Sequence, residues 1–164
     1  MFSLAPRLIL LLSLLGLGAC GFHLQGGGAA ITPRLAAVEV VAPDRYSDLQ
    51  QALRESLPLA GARLVEGTAD PAVTLRLVRD EHGRRVLSVS ARNTPREIEV
   101  FYTAEFSIES AGQVLVPLQE ITLVRSLSYD ETALLAKEQE QEQVRAALAR
   151  ELASLITRRL VALR

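Results

Sequence analysis

Residues 97–109 read EIEVFYTAEFSIE, and this stretch decides the fold class. Ile98, Val100, Tyr102, Ala104, Phe106 and Ile108 fall on every second position, with Glu97, Glu99, Thr103, Glu105, Ser107 and Glu109 opposite them. Side chains alternate across a strand, so this pattern is a long strand with one buried face and one wet face. Ser110-Ala111-Gly112 turns the chain into a partner strand. There Val114, Val116 and Leu118 keep an even phase, whereas Ile121, Leu123 and Leu127 are odd. A period of two cannot change phase without an extra residue, so a bulge is predicted between Pro117 and Glu120.

Upstream, Val73, Leu75 and Leu77 alternate with polar residues, Asp80-Glu81-His82-Gly83 reads as a turn, and Leu87, Val89 and Ala91 alternate again. Arg92-Asn93-Thr94-Pro95 makes the next connection. Leu35 to Ala42 reads as a short strand stopped by Pro43-Asp44. Ser47-x-x-Gln50 forms a capping box for a helix over 47–57, whose buried face is Leu49, Ala52, Leu53 and Leu57 and which Pro58 and Gly61 end.

Asp130 is a suitable N-cap for the last element. From Glu131 to Leu163 no Gly or Pro occurs, and Val144, Leu148, Leu152, Leu155, Ile156, Leu160 and Leu163 form a stripe at helical spacing. Lys137-Glu138-Gln139-Glu140-Gln141-Glu142-Gln143 has no apolar face and reads as turns standing in solvent or against a polar partner. A straight helix over the whole stretch would reach about 50 Å, so a bend or a separate short helix is expected near 131–137. The order β–α–β–β–β–α predicts an α+β two-layer sandwich: a mixed four- to five-stranded sheet with two helices packed on one face.

Composition narrows the function. The chain has 164 residues, a net charge of −1, 4% aromatics, two His and one Cys. Near-neutrality argues against nucleic acid as a partner. One Cys cannot form an internal disulfide, and so few His and Cys cannot fill a zinc cage. No G-x-S-x-G, H-E-x-x-H or phosphate-loop motif occurs. Neither an enzyme activity nor a cofactor is expected.

The position of the cysteine is informative. Arg7 precedes an apolar run from Leu8 to Leu17 that is shorter than the roughly 20 residues of a membrane-spanning helix. The run fits a secretory signal. It ends in Leu17-Gly18-Ala19-Cys20, which resembles a bacterial lipoprotein signal. The expected divisions are a signal over 1–19, a lipidated flexible tether over 20–34 with three glycines at 26–28, and one α+β domain over 35–164. That resemblance implies acyl chains on Cys20, and several chains together hold a protein at a membrane. With Gly21 next, it implies the outer membrane.

Charge is unevenly placed. Arg76, Arg79, Arg84, Arg85, Arg92 and Arg96 lie in one stretch, opposed only by Asp80 and Glu81. Arginine forks bind phosphate bidentately. Lys137 is the single lysine beside 17 arginines. The ordinary alternative for both features is a solvated surface.

Cys20-Gly21-Phe22-His23-Leu24, Arg85-Val86-Leu87-Ser88, Leu115-x-Pro117, Arg125-x-x-x-Tyr129-Asp130, Leu134-Leu135-Ala136-Lys137-Glu138-x-Glu140 and Arg158-Arg159-Leu160 occur in that order. Together they resemble the LptE family of lipopolysaccharide-assembly lipoproteins over nearly the whole chain after Cys20. One departure is Gln25, where relatives often carry Arg. The resemblance implies a non-enzymatic plug, lipid-anchored on the periplasmic side, inside the lumen of the outer-membrane β-barrel LptD. It also implies assistance to barrel assembly and contact with lipopolysaccharide. The candidate residues for that contact are Arg92 and Lys137, with Arg84, Arg85 and Arg96. Two other classes stay open: an envelope scaffold lipoprotein that binds only protein, and an envelope hydrolase with a concave pocket of perturbed titratable groups.

Overall fold

The computed structural model describes residues 31–67, 71–129 and 133–163. The signal, Cys20 and Asp130 lie outside them. After a 3-10 turn, Pro33–Leu35, come β1 (Ala37–Val41), α1 (Asp48–Leu59), β2 (Arg63–Leu64), β3 (Val73–Val89), β4 (Pro95–Ser110), β5 (Gln113–Ser128) and α2 (Leu134–Val161). The five strands form one mixed sheet in the order β2-β1-β3-β4-β5. β1 runs parallel to both β2 and β3, and β3–β4 and β4–β5 are antiparallel hairpins. The α+β sandwich is the predicted one, and the two-residue β2 is the fifth strand.

One face of the sheet carries the core. Val73 and Leu75 of β3 and Tyr102, Ala104, Phe106 and Ile108 of β4 are fully buried with Leu49, Leu53 and Leu57 of α1 and Leu148, Leu152, Ile156 and Leu160 of α2. Each such large side chain contributes about 1.5–3 kcal/mol of transfer free energy. Both helices therefore lie on the same side. Ser47 caps α1 as its sequence position demands: its Oγ accepts the Gln50 N–H at 3.1 Å. Pro58 sits inside the last turn of α1, which ends at Leu59 rather than 57.

The expected bulge is present. Between the pairs Phe106–Gln119 and Ile108–Val116, Pro117 and Leu118 on β5 span the space of one residue on β4. Leu115 is a second extra residue just before it. Ala111 and Gly112 both have positive φ, +47° and +74°, as a two-residue hairpin turn of right-handed twist requires.

Two expectations are corrected. First, Asp80–Gly83 is not a turn: β3 passes straight through it. Gly83 serves a close approach instead, because a Cβ there would lie 2.7 Å from Cζ of Phe101 on the neighbouring strand. Second, Leu87 and Val89 are exposed, and Ala91 belongs to the turn. From Leu134 onward α2 is one continuous helix, about 42 Å long at 1.5 Å per residue; Ala133 just before it is in a 3-10 turn, and 131–132, where the expected short helix would begin, lie outside the described residues.

A bulge explains both corrections. Leu77 pairs with Phe106 but Arg79 pairs with Glu105, so Val78 is an extra residue. Beyond it the phase of β3 flips. Asp80, His82 and Arg84 now pair with Ala104, Tyr102 and Val100 and take the helix side of the sheet. On the inner face β3 is therefore apolar at the end that holds Ile31 and Leu163 and polar from Asp80 to Arg84 towards the β3–β4 tip, while Ile98 and Val100 of β4 stay apolar beside it. We call the two ends the proximal and distal halves.

Candidate functional site

The border between the halves is a hydrogen-bonded knot. The Tyr102 hydroxyl accepts the Leu49 N–H at 3.3 Å and donates to Asp80 Oδ1 at 2.8 Å. The Ser47 hydroxyl donates to Asp80 Oδ2. Burial first, and then the Asp80 carboxylate, push the Tyr102 phenol above its ordinary range. From α2, Arg145 Nε donates to Asp48 Oδ2 at 2.7 Å and its fork also holds Glu142. Burial acts to lower the Arg145 pKa, but these carboxylates outweigh it and raise it. The start of α1, the middle of the sheet and the middle of α2 are thus tied together.

Beyond the knot, α2 covers a cleft of about 310 Å³ lined by His82, Gly83, Arg84, Val100, Glu138, Gln141, Glu142 and Arg145. Arg84 donates to Gln141 Oε1 at 2.9 Å, and the buried Gln141 Nε2 has no partner among the described residues. The lining holds no serine, threonine or cysteine. Ser47, in the knot, is occupied as a helix cap and a donor to Asp80. Among the described residues no three His, Cys, Asp or Glu side chains converge to hold a metal ion.

The six clustered arginines separate. Arg79 pairs with Glu105 at 3.9 Å and also with Glu120, and Arg85 pairs with Glu99, all on the outer sheet face. These ion pairs and the Thr103–Thr122 hydrogen bond, 2.8 Å, half-cover the face read as wet. Arg84 points to the helix side, opposite its neighbour Arg85. Arg92 is exposed in the β3–β4 turn and Arg96 is exposed at the start of β4. Arg76, Arg84, Arg92 and Arg96 have no carboxylate partner among the described residues. Lys137, in the first turns of α2, pairs with Glu140 at 2.8 Å. The candidate cations therefore form no single patch. The Arg84–Gln141 bond links the hairpin to the turn that follows Lys137, while Arg92 and Arg96 stand at the tip. The knot and the cleft escaped sequence reading: Asp80 and His82 lacked any local signal that a tyrosine 20 residues on would meet them.

The fold and these features define a two-layer α+β sandwich with exposed arginines at its tip and a cleft beneath its long helix. Its family follows from comparison with known proteins. Residues 35–160 match the family model described as LptE, lipopolysaccharide-assembly. The chain is 28% identical over 155 residues to the LPS-assembly lipoprotein LptE of Pectobacterium atrosepticum, covering 94% of this chain and 83% of that one. The solution structure of lipoprotein B from Nitrosomonas europaea superposes with a TM-score of 0.72 at 25% identity, over 87% of this chain and 91% of that one. The crystal structure of rare lipoprotein B from Shewanella oneidensis gives 0.67 at 26%, over 76% and 93%. The chain belongs to the LptE family of lipopolysaccharide-assembly lipoproteins, which is non-enzymatic and associated with the outer membrane.

Proposed function

We propose that residues 1–19 are a cleaved signal, that Cys20 carries the lipid anchor, and that the stretch after it tethers the domain, whose packed part begins by Ile31 rather than 35. In this reading the domain plugs the lumen of LptD and binds lipopolysaccharide on its way to the cell surface. The observation that carries it is the family match across nearly the whole folded domain. Two features support it. A large barrel has a polar lumen, and the outer sheet face presents Arg79, Arg85, Glu99, Glu105 and Glu120 over a dry core. Arg84, Arg92 and Arg96 are forks not neutralised by a described carboxylate, as phosphate binding needs.

The test is affinity purification of the full chain from membranes after mild detergent extraction. A large β-barrel should come with it, and its absence overturns the plug. Cys20→Ala should move the protein out of the membrane fraction. Arg92→Glu, Arg96→Glu and Arg84→Glu should each weaken binding of purified lipopolysaccharide. Lys137→Glu and Arg85→Glu should weaken it less, because those cations already have partners. Binding indifferent to all five would favour a scaffold that takes only protein partners.

A further inference from the structure

The distal half of α2 lacks what fastens the proximal half. Ala133 gives no side-chain cap, and the first turn has no acidic residue. The early cation Lys137 opposes the helix dipole, which favours anions at that end. Leu134 and Leu135 are 49% and 76% exposed. From Lys137 to Gln143 no apolar side chain faces the sheet, and the space beneath is the cleft rather than a packed core. The sheet below matches: His82, Arg84 and Val86 are exposed although they sit on the helix side. Ile98 is buried yet stands outside the main core. Packing resumes at Val144, and Arg145 is pinned to Asp48.

We propose that residues 134–143 are a hinged cover, and that the inner face of the distal hairpin beneath them seats the phosphate-bearing end of an anionic amphiphile. The ligand class rests on the lipopolysaccharide reading above, and the cover does not. Closed, the cleft holds Glu138 and Glu142 beside Arg84, so it repels a phosphate and the fork is spent on the Gln141 amide. Opening about Val144–Arg145 breaks that side-chain hydrogen bond and the helical backbone bonds that span the hinge, and carries Glu138 away. It frees the Arg84 fork for a phosphate beside an apolar strip, Val86, Ile98 and Val100, with Leu127 paired to Ile98. A cation next to an apolar strip matches a phosphate next to acyl chains. Weakly packed elements with few apolar contacts are those that open locally without global unfolding.

Hydrogen exchange on the full chain, extracted in detergent without lipopolysaccharide, tests the cover. Amides of 138–143 should exchange at least 100-fold faster than those of 148–160. Equal protection overturns the proposal. A second arm uses His82→Cys with Gln141→Cys, bridged by a short bismaleimide across the cleft. Compared with the same double variant capped by N-ethylmaleimide, the bridged form should bind purified lipopolysaccharide at least tenfold more weakly. Equal affinity of bridged and capped forms overturns the gated seat. Phosphatidylglycerol micelles as a second probe should show the same loss if any phosphate-bearing amphiphile uses the seat; loss for lipopolysaccharide alone narrows the seat to that lipid. If the unmodified chain binds neither lipid, the lipopolysaccharide reading and the seat both fail, while the exchange result still decides the cover.

Discussion

The proximal and distal halves share the same two layers, one hairpin and one helix, but different forces join the layers. In the proximal half Leu75, Phe106 and Ile108 meet Leu152, Ile156 and Leu160 with no solvent between them. In the distal half the same β3 and the same α2 face each other through Arg84, Gln141 and a cleft. The switch takes one inserted residue, Val78, and one hydrogen-bonded knot at Tyr102. The packed apolar core thus resides at one end and the exposed arginines at the other. Sites that must open are drawn from the less stable parts of a protein.

The largest test of this contrast is truncation of the core on each side. Leu152→Ala should cost about 3–5 kcal/mol in urea unfolding, while Glu138→Ala or Gln141→Ala should stay within about 0.5 kcal/mol. Comparable losses would erase the distinction. Tyr102→Phe should cost about 1–3 kcal/mol, because the Leu49 N–H loses its acceptor and Asp80 a donor.

The same residue predicts a pH dependence. The Tyr102 phenol is raised above its ordinary 10.0 in the folded chain, whereas the unfolded chain ionises near that value. Its contribution is complete below about pH 10 and declines as the pH rises further, since only the unfolded state then gains by losing the proton. Denaturation midpoints measured from pH 8 to 11 should show that decline in the parent and a smaller one in Tyr102→Phe.

Gly83→Ala sharpens the comparison at the distal end. The new methyl must displace the Phe101 ring, at a cost of about 1 kcal/mol, and exchange should quicken at 83–101 more than at 104–108. The smallest effect has the opposite sign. Ala111 holds φ +47°, and Ala111→Gly should stabilise by about 0.5 kcal/mol, the relief of left-handed strain less the added freedom of the unfolded chain. A thermal midpoint raised by a few degrees would confirm it.

The well-read parts of the chain are those whose cause is local. Alternation from Ile98 to Ile108, the Ser47 cap, the Ala111–Gly112 turn and the phase change near Pro117 each involve residues a few positions apart. The misread stretch, 80–91, depends on distant partners. Asp80 looks like a turn residue until the Tyr102 and Ser47 hydroxyls satisfy it on the inner face. Leu87 and Val89 look like core until the extra residue Val78 flips the phase of β3: Val89 then pairs with Pro95 away from the helices, and Leu87 falls in a second register shift. The arginine cluster was legible as a cluster, but adjacent Arg84 and Arg85 fall on opposite faces of one strand, so proximity in sequence separated them in space.

By itself the sequence determined the α+β class, the two buried helix faces, the long central hairpin and a resemblance to lipopolysaccharide-assembly lipoproteins. Periodicity and turn chemistry are encoded within a few residues, and family motifs within their order and spacing. Only the tertiary structure decided which arginines remain without a carboxylate among the described residues, that β3 turns Asp80, His82 and Arg84 inward beyond Val78, and that the first ten residues of α2 lie over a cleft. Those outcomes depend on strand register, and register is set by the packing of Tyr102 and Phe106 against buried helix residues such as Leu53 and Leu152, far away along the chain.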